Sequence, residues 1–254
     1  MLTGGKGFAG AIASVLVGQV GADGTIASWA PGPDLPVGRY HAAGVVHDRF
    51  IYSIGGIDEN EAHIADVVRL EIDESGAPGQ WLAQTPLPDA RTHLSAFVAG
   101  GFVYVVGGIM SHTSGDMFFK DTLRAPLGAD GTLGAWESVG QPLAHELATA
   151  APAVHCDHAY LFGGLVLLSP TNEILRAPLG ADGSIGAWEL LGVQLPLARS
   201  TCTTHPSTET PSTRSAAHSW AYNPRTPSTS APSSSLRVWP ATSWQASPRG
   251  AVKG

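Results

Sequence analysis

Along the first two hundred residues, hydrophobic positions gather in short runs bounded by turn residues, not at helical spacing. RYHAAGVVH and RTHLSAFVA read as first strands, DRFIYSIGG and GFVYVVGG as second strands, and ADVVRLEID and DTLRAPL as third strands. The segment around each recurring tryptophan reads as a fourth. The second strands are almost continuous in β-branched and aromatic residues, as expected of strands covered on both faces. Asp-Gly at 23–24, 130–131 and 182–183 falls between third and fourth strands, where its chemistry predicts a tight hairpin turn.

This pattern repeats. Gly-Gly occurs at 4–5, 55–56, 107–108 and 163–164, at intervals of 51, 52 and 56 residues. Each pair is followed, 24 to 28 residues after its second glycine, by Trp29, Trp81, Trp136 and Trp188. A proline then leads to a base three residues on: Pro36 to Arg39, Pro88 to Arg91, Pro142 to His145 and Pro196 to Arg199. In this register the third copy carries histidine in place of arginine. A four-stranded sheet of this kind cannot bury both faces alone, and stacking copies around an axis solves that problem.

The Gly-Gly after Tyr52-Ser-Ile, Tyr104-Val-Val and Tyr160-Leu-Phe, the spaced tryptophan and the Leu-Pro-x-x-Arg run together resemble the Kelch-repeat β-propeller family, including galactose-oxidase-like central propellers, over residues 1–200. The resemblance implies an all-β, Kelch-type β-propeller of four-stranded blades, commonly six or seven, often closed by a terminal strand. Six blades of roughly 50 residues need about 300 residues, so the expected propeller is incomplete, with about three full blades and partial ones at each end. We expect a partial blade at 1–34, repeats at about 35–86, 87–141 and 142–194, and the start of a further blade at 195–200.

Composition alters the picture mainly at the ends. Glycine 31, proline 19 and a charged fraction of 14% favour turn-rich β structure over helical bundles and argue against a coiled coil. Apolar runs such as 9–17 and 159–168 fall short of the roughly 18 residues that span a bilayer. A formal charge of −7, with 14 Lys and Arg spread along the chain, argues against nucleic acid as a partner. Cys156 and Cys202 make no disulfide framework and leave the compartment undetermined. No signal-peptide pattern is visible, but Met1 lies inside an expected second strand, so the start reads as truncated.

Beyond residue 200 the repeat stops, and Ser, Thr and Pro make up half of residues 201–254. That composition predicts a disordered tail. Trp220, Trp239 and Trp244 fit a tail poorly. Codon degeneracy permits an out-of-frame reading in which Tyr-x-x-Gly-Gly falls opposite positions 216 and 217, 53 residues after the previous pair. A frameshifted fifth blade is therefore the alternative expectation.

Arg39, Arg91, His145 and Arg199 begin inner strands and are expected to ring the axial opening, where arginine forks could grip a carboxylate. Recurrence in every unit favours instead a structural tie to the neighbouring blade. The histidines show no metal-ligand spacing such as H-E-x-x-H, and we expect neither a metal site nor a cofactor. His155, Cys156, Asp157 and His158 are densest, but fall on an expected turn between strands. No P-loop, G-x-S-x-G, dinucleotide fingerprint or acid–base pair is present, and no catalytic residue is assigned. The tyrosines and tryptophans in phase with the repeat read as packing residues. The loops after the glycine pairs vary most, and the longest carries His112, Met117, Phe118 and Phe119.

The expected function is a non-catalytic module binding a protein or glycan through this loop face, with self-association able to complete the propeller. An enzyme acting on a sugar or sugar acid, mutarotase- or oxidase-like, is the alternative implied by fold resemblance. A truncated or frameshifted product without stable function is the third.

Overall fold

Residues 1–112 and 115–200 are described by a computed structural model, and every regular element in them is a β-strand. Among them no helix is long and apolar enough to cross a membrane. All fall within one compact unit. The expected tail at 201–254, with its alternative fifth blade, lies outside the described residues.

Three four-stranded antiparallel sheets recur, each with its strands in sequence order. The second sheet comprises Ala43–His47, Phe50–Ile54, Val67–Glu71 and Leu82–Ala83. The third comprises Ser95–Ala99, Phe102–Val106, Thr122–Pro126 and Glu137–Val139. The fourth comprises Ala151–His155, His158–Phe162, Ile174–Pro178 and Glu189–Leu190. A first sheet of three strands, Leu2–Thr3, Val15–Val20 and Ile26–Pro31, corresponds to the end of a second strand followed by a third and a fourth.

The hydrophobic cores lie between sheets. Val45, Tyr52 and Ile54 of the second sheet pack with Ala96, Val98, Val105 and Leu133 of the third. Phe97, Tyr104 and Val106 of the third pack in turn with Ala159, Leu161 and Ile185 of the fourth. Each internal sheet is thus buried on both faces, which explains the continuous apolar character of its strands. First strands of successive sheets are neighbours, and Ser95 Oγ donates to Ala150 O across them at 2.8 Å. Sheets stacked face to face with their first strands innermost are the blades of a β-propeller.

Two local expectations change. In the three four-stranded sheets the last strand begins one residue after its tryptophan, because the indole turns toward the preceding sheet, whereas in the first sheet Trp29 lies within its strand. Trp81 Nε1 donates to Pro33 O at 2.9 Å, Trp136 Nε1 to Thr85 O at 3.0 Å and Trp188 Nε1 to Thr122 Oγ1 at 3.0 Å. The Asp-Gly segment, for its part, is not a two-residue hairpin. Gly128 N–H donates to Thr132 O at 2.8 Å, and Asp130 Oδ1 accepts from the Thr132 amide and hydroxyl, giving a wider side-chain-pinned turn.

Candidate functional site

Each Gly-Gly pair forms a latch to the segment that follows its sheet. The first glycines, Gly4, Gly55, Gly107 and Gly163, have φ of +63°, +62°, +62° and +61°. The second glycine of each pair donates its N–H to a residue that follows its own sheet: Arg39 O at 2.8 Å, Arg91 O at 3.0 Å and Leu147 O at 3.0 Å, which lead into the next sheets, and Arg199 O at 2.7 Å. A β-carbon on Gly4 or Gly163 would lie 2.5 Å from that same carbonyl oxygen. Both the left-handed backbone and the close approach therefore require glycine.

The latch corrects the register of the third copy. Leu147, not His145, accepts the glycine amide there, so leucine stands where the other copies have arginine. His145 sits two residues earlier and reaches the same neighbourhood by another route, with its Nε2 2.8 Å from Glu173 Oε2.

Arg39 and Arg91 are 2% and 0% exposed, so their side chains do not line an open axial mouth. Arg39 Nη1 donates to Gly55 O at 3.3 Å and Asp66 O at 3.2 Å. Arg91 donates to Gly107 O and pairs with both carboxylate oxygens of Asp121, at 2.8 and 3.3 Å, while lying 3.7 Å from the centroid of the Phe119 ring. These partners belong to the same sheet. The side chain braces its own blade, and the backbone carbonyl makes the link between blades. The Arg199 side chain is exposed, and its backbone bridges Thr171.

By contrast, the third-strand arginines Arg69 and Arg124 do reach across to the next blade, beside second-strand tyrosines. Tyr52 OH donates to Gly131 O at 2.6 Å and Tyr104 OH to Gly183 O at 2.7 Å, in the turn of the next sheet each time. Arg69 donates to Asp130 O and Arg124 to Gly183 O in the same turns. Burial pushes the Tyr52 hydroxyl pKa up to about 12, so it remains a donor across the physiological range.

Two residues after the first three entry positions stand His41, His93 and Thr149, all with positive φ. Their backbones form a chain around the inner rim: His93 N–H donates to His41 O at 3.1 Å and Thr149 N–H to His93 O at 2.7 Å. The two imidazoles lie 4.0 Å apart between centroids. Burial, then the neighbouring His41 and His63, lowers the His93 pKa to about 4. Burial lowers His41 as well, with Lys6 and His63 adding to it and Glu61 opposing. Because the folded-state pKa of His93 lies below the ordinary 6.5, its contribution to stability is complete above pH 6.5 and is lost as pH falls toward 4. Denaturant unfolding at pH 7 and pH 4.5 should show a smaller drop for His93→Asn than for the wild type, since asparagine tolerates the left-handed backbone and does not titrate. Among the described residues no three His, Cys, Asp or Glu side chains converge to hold a metal ion.

The loops that follow the glycine pairs all leave their sheets at the same point of the repeat, and the first three are joined by hydrogen bonds. Three are hairpins: Lys6–Gly7 with Gly10–Ala11, Ile109–His112 with Gly115–Phe118, and Leu165–Val166 with Ser169–Pro170. Lys6 Nζ meets Glu61 Oε1 at 3.1 Å, joining the first loop to the second, and Ser111 N–H donates to His63 Nδ1 at 3.2 Å, joining the second to the third. Tyr40 OH bonds both Lys6 and Glu61. His112 ends its strand opposite Gly115, and its side chain lies outside the described residues. Phe118 is half-buried and Phe119 is buried beneath Arg91, whereas Met117 is exposed.

Sequence reasoning missed the most exposed apolar groups on these loops, Phe8, Leu167 and Leu168, each at a hairpin tip. The signal for them was present: apolar residues between two short polar or glycine-flanked strands have no blade face to join. Leu167 and Leu168 both have positive φ, +47° and +66°, a two-residue turn in a conformation that leucine disfavours.

The architecture defines a β-propeller segment whose blades are latched by Gly-Gly pairs. No family model matches the chain. Over 160 residues, 63% of its length, it is 26% identical to Kelch repeat and BTB domain-containing protein 1 of Ectromelia virus (strain Moscow). It is also 30% identical over 149 residues to Beta-scruin and 24% identical over 148 residues to Alpha-scruin, both of Limulus polyphemus, covering 58% of the chain in each case. The chain thus resembles Kelch-repeat proteins over this segment. It spans 26% of the length of the viral relative and 15% of each scruin.

Proposed function

We propose that this chain is a non-catalytic interaction module that binds a protein partner through the surface formed by the loops after the second strands. One observation carries the reading: Leu167 and Leu168 are 65% and 58% exposed and held together in left-handed backbone at a hairpin tip. Asn-Gly at such a turn would be more stable, and strain kept at an exposed apolar tip points to use of that tip. Phe8 and Met117 extend the apolar character to the first and third loops. Exposed apolar groups at loop tips are a mark of contact surfaces. They favour protein over glycan, whose recognition would call for polar forks beside an aromatic platform, and Arg39 and Arg91 are already engaged within their own blades.

The double substitution Leu167→Asn with Leu168→Gly separates binding from folding. It should raise stability by roughly 1–2 kcal/mol, by relieving two left-handed leucines. It should also weaken retention of a partner captured from an extract of the source organism at least tenfold. Equal capture by both forms would contradict the proposal.

A further inference from the structure

Where the second loop meets the third, one imidazole nitrogen faces two backbone groups of opposite hydrogen-bonding sense. His63 Nδ1 lies 3.2 Å from the Ser111 amide nitrogen and 3.3 Å from Ile109 O. A ring nitrogen accepts through its lone pair or donates through a proton, never both at once. The Ser111 N–H is therefore held when Nδ1 is unprotonated, and Ile109 O is reached only when Nδ1 carries a proton.

Both sides of this contact are held in place by their own segments. In the second loop, Asp58 Oδ1 accepts from the Asn60 amide at 2.8 Å and the Ala62 amide at 2.9 Å, and the His63 backbone bridges Ile57. On the other side, Ile109 N–H donates to Thr92 O at 2.8 Å and Thr92 N–H to Ile109 O at 2.9 Å. Ile109 O thus keeps one bond whatever the charge of the imidazole, and its second lone pair can take another. Ser111 lies two residues along the same strand, so its N–H points to the same outer edge of the hairpin. There His63 supplies the acceptor that a neighbouring strand would give.

We infer that His63 is a proton-operated fastener between the second and third loops: neutral, it holds the Ser111 amide; charged, it turns its Nδ1–H to Ile109 O and releases that amide. An imidazole in ordinary surroundings changes charge between about pH 5 and 8. His41 and His93, at the entries of the second and third sheets, face His63, but burial lowers both, His93 to about 4. Bonds to Tyr40 and Glu61 raise Lys6 of the first loop, bonds to Tyr40 and Lys6 lower Glu61, and burial raises Tyr40, so that trio keeps its charges. The Ala62 amide likewise lowers Asp58, and Asp116 stands opposite Ser111 on the other strand of the hairpin. Of these groups His63 alone has a backbone oxygen placed to receive its added proton. The same hairpin carries Met117, so the release alters the loop surface whatever that surface binds.

Nuclear magnetic resonance of the nitrogen-labelled full chain reads the bond itself, as a scalar coupling between the Ser111 amide nitrogen and His63 Nδ1. The coupling should be present at pH 7.5 and absent at pH 5. Over the same interval the protection of the Ser111 amide against hydrogen exchange should fall at least tenfold, while that of Thr92 stays unchanged. His63→Asn, whose side-chain oxygen accepts in place of Nδ1 without titrating, should keep Ser111 protected at both pH values. His63→Ala should leave it unprotected at both, and His93→Asn should switch as the wild type does. A coupling missing at pH 7.5 or surviving at pH 5, or a Ser111 amide that loses protection equally in His63→Asn, would overturn the inference. The coupling is measured on the unaltered protein, so it decides the question even where a variant fails to fold.

Discussion

Gly107→Ala should be the most damaging single methyl group that can be added to this protein. Gly107 has φ of +62°, and its added β-carbon would drive deep into the carbonyl oxygen of Leu147, a backbone atom that cannot rotate away. That oxygen also receives the Gly108 amide at 3.0 Å, so relieving the overlap would break the link between the third and fourth sheets. Left-handed strain and the lost hydrogen bond are each worth roughly 1–2 kcal/mol, and the overlap adds to them. A loss of roughly 3–5 kcal/mol is expected, a large share of the stability of a typical domain. Urea unfolding should show a lowered midpoint. Gly101→Ala, in open space at φ +77°, should lose only its backbone-strain component.

Arg91→Ala carries the second largest expected effect. The guanidinium is fully buried, paired with Asp121 and stacked on Phe119, so truncation leaves a cavity and an uncompensated carboxylate. Asp121 retains some solvent access, which places the cost at the lower end of the range for breaking a buried pair, about 3 kcal/mol. Arg91→Leu should cost less, because Leu147 fills the equivalent position natively and the added side chain restores most of the packing. An Arg91→Ala protein with unchanged thermal stability would contradict the bracing role and return this arginine to the list of ligand-binding groups.

The repeat was readable because glycine, tryptophan and tyrosine answer to the same packing demand in every copy. Gly55 and Gly107 have to be glycine for one backbone reason, and the period follows from it. The register of the third entry residue was not readable from proline spacing. Pro142 precedes Leu143, whereas Pro36, Pro88 and Pro196 follow Leu35, Leu87 and Leu195. That leucine is the better anchor, because its amide bonds the loop before the third strand in each sheet, as with Leu87 N–H to Ala65 O and Leu143 N–H to Lys120 O. Counting four residues from that leucine gives Arg39, Arg91, Leu147 and Arg199.

The loop surface was only partly readable for a different reason. Met117 stood out because its loop is long, but Phe8 and Leu167–Leu168 sit on short hairpins whose existence depends on the glycine latch turning the chain outward. Burial of Phe119 under Arg91 likewise needed three dimensions, since nothing local distinguishes it from Phe118. The division of labour in the arginines, side chain within a blade and carbonyl between blades, is a matter of hydrogen-bond direction and leaves no trace in residue spacing.

The central claim is that consecutive sheets are locked through the second glycine of each pair, and amide hydrogen exchange tests it directly. The Gly56 and Gly108 amides should exchange as slowly as those of the inner strand Ser95–Ala99, because opening either requires separating two blades. Exchange of these two amides at the rate of exposed loop positions such as Gly101, with the inner strands still protected, would contradict it.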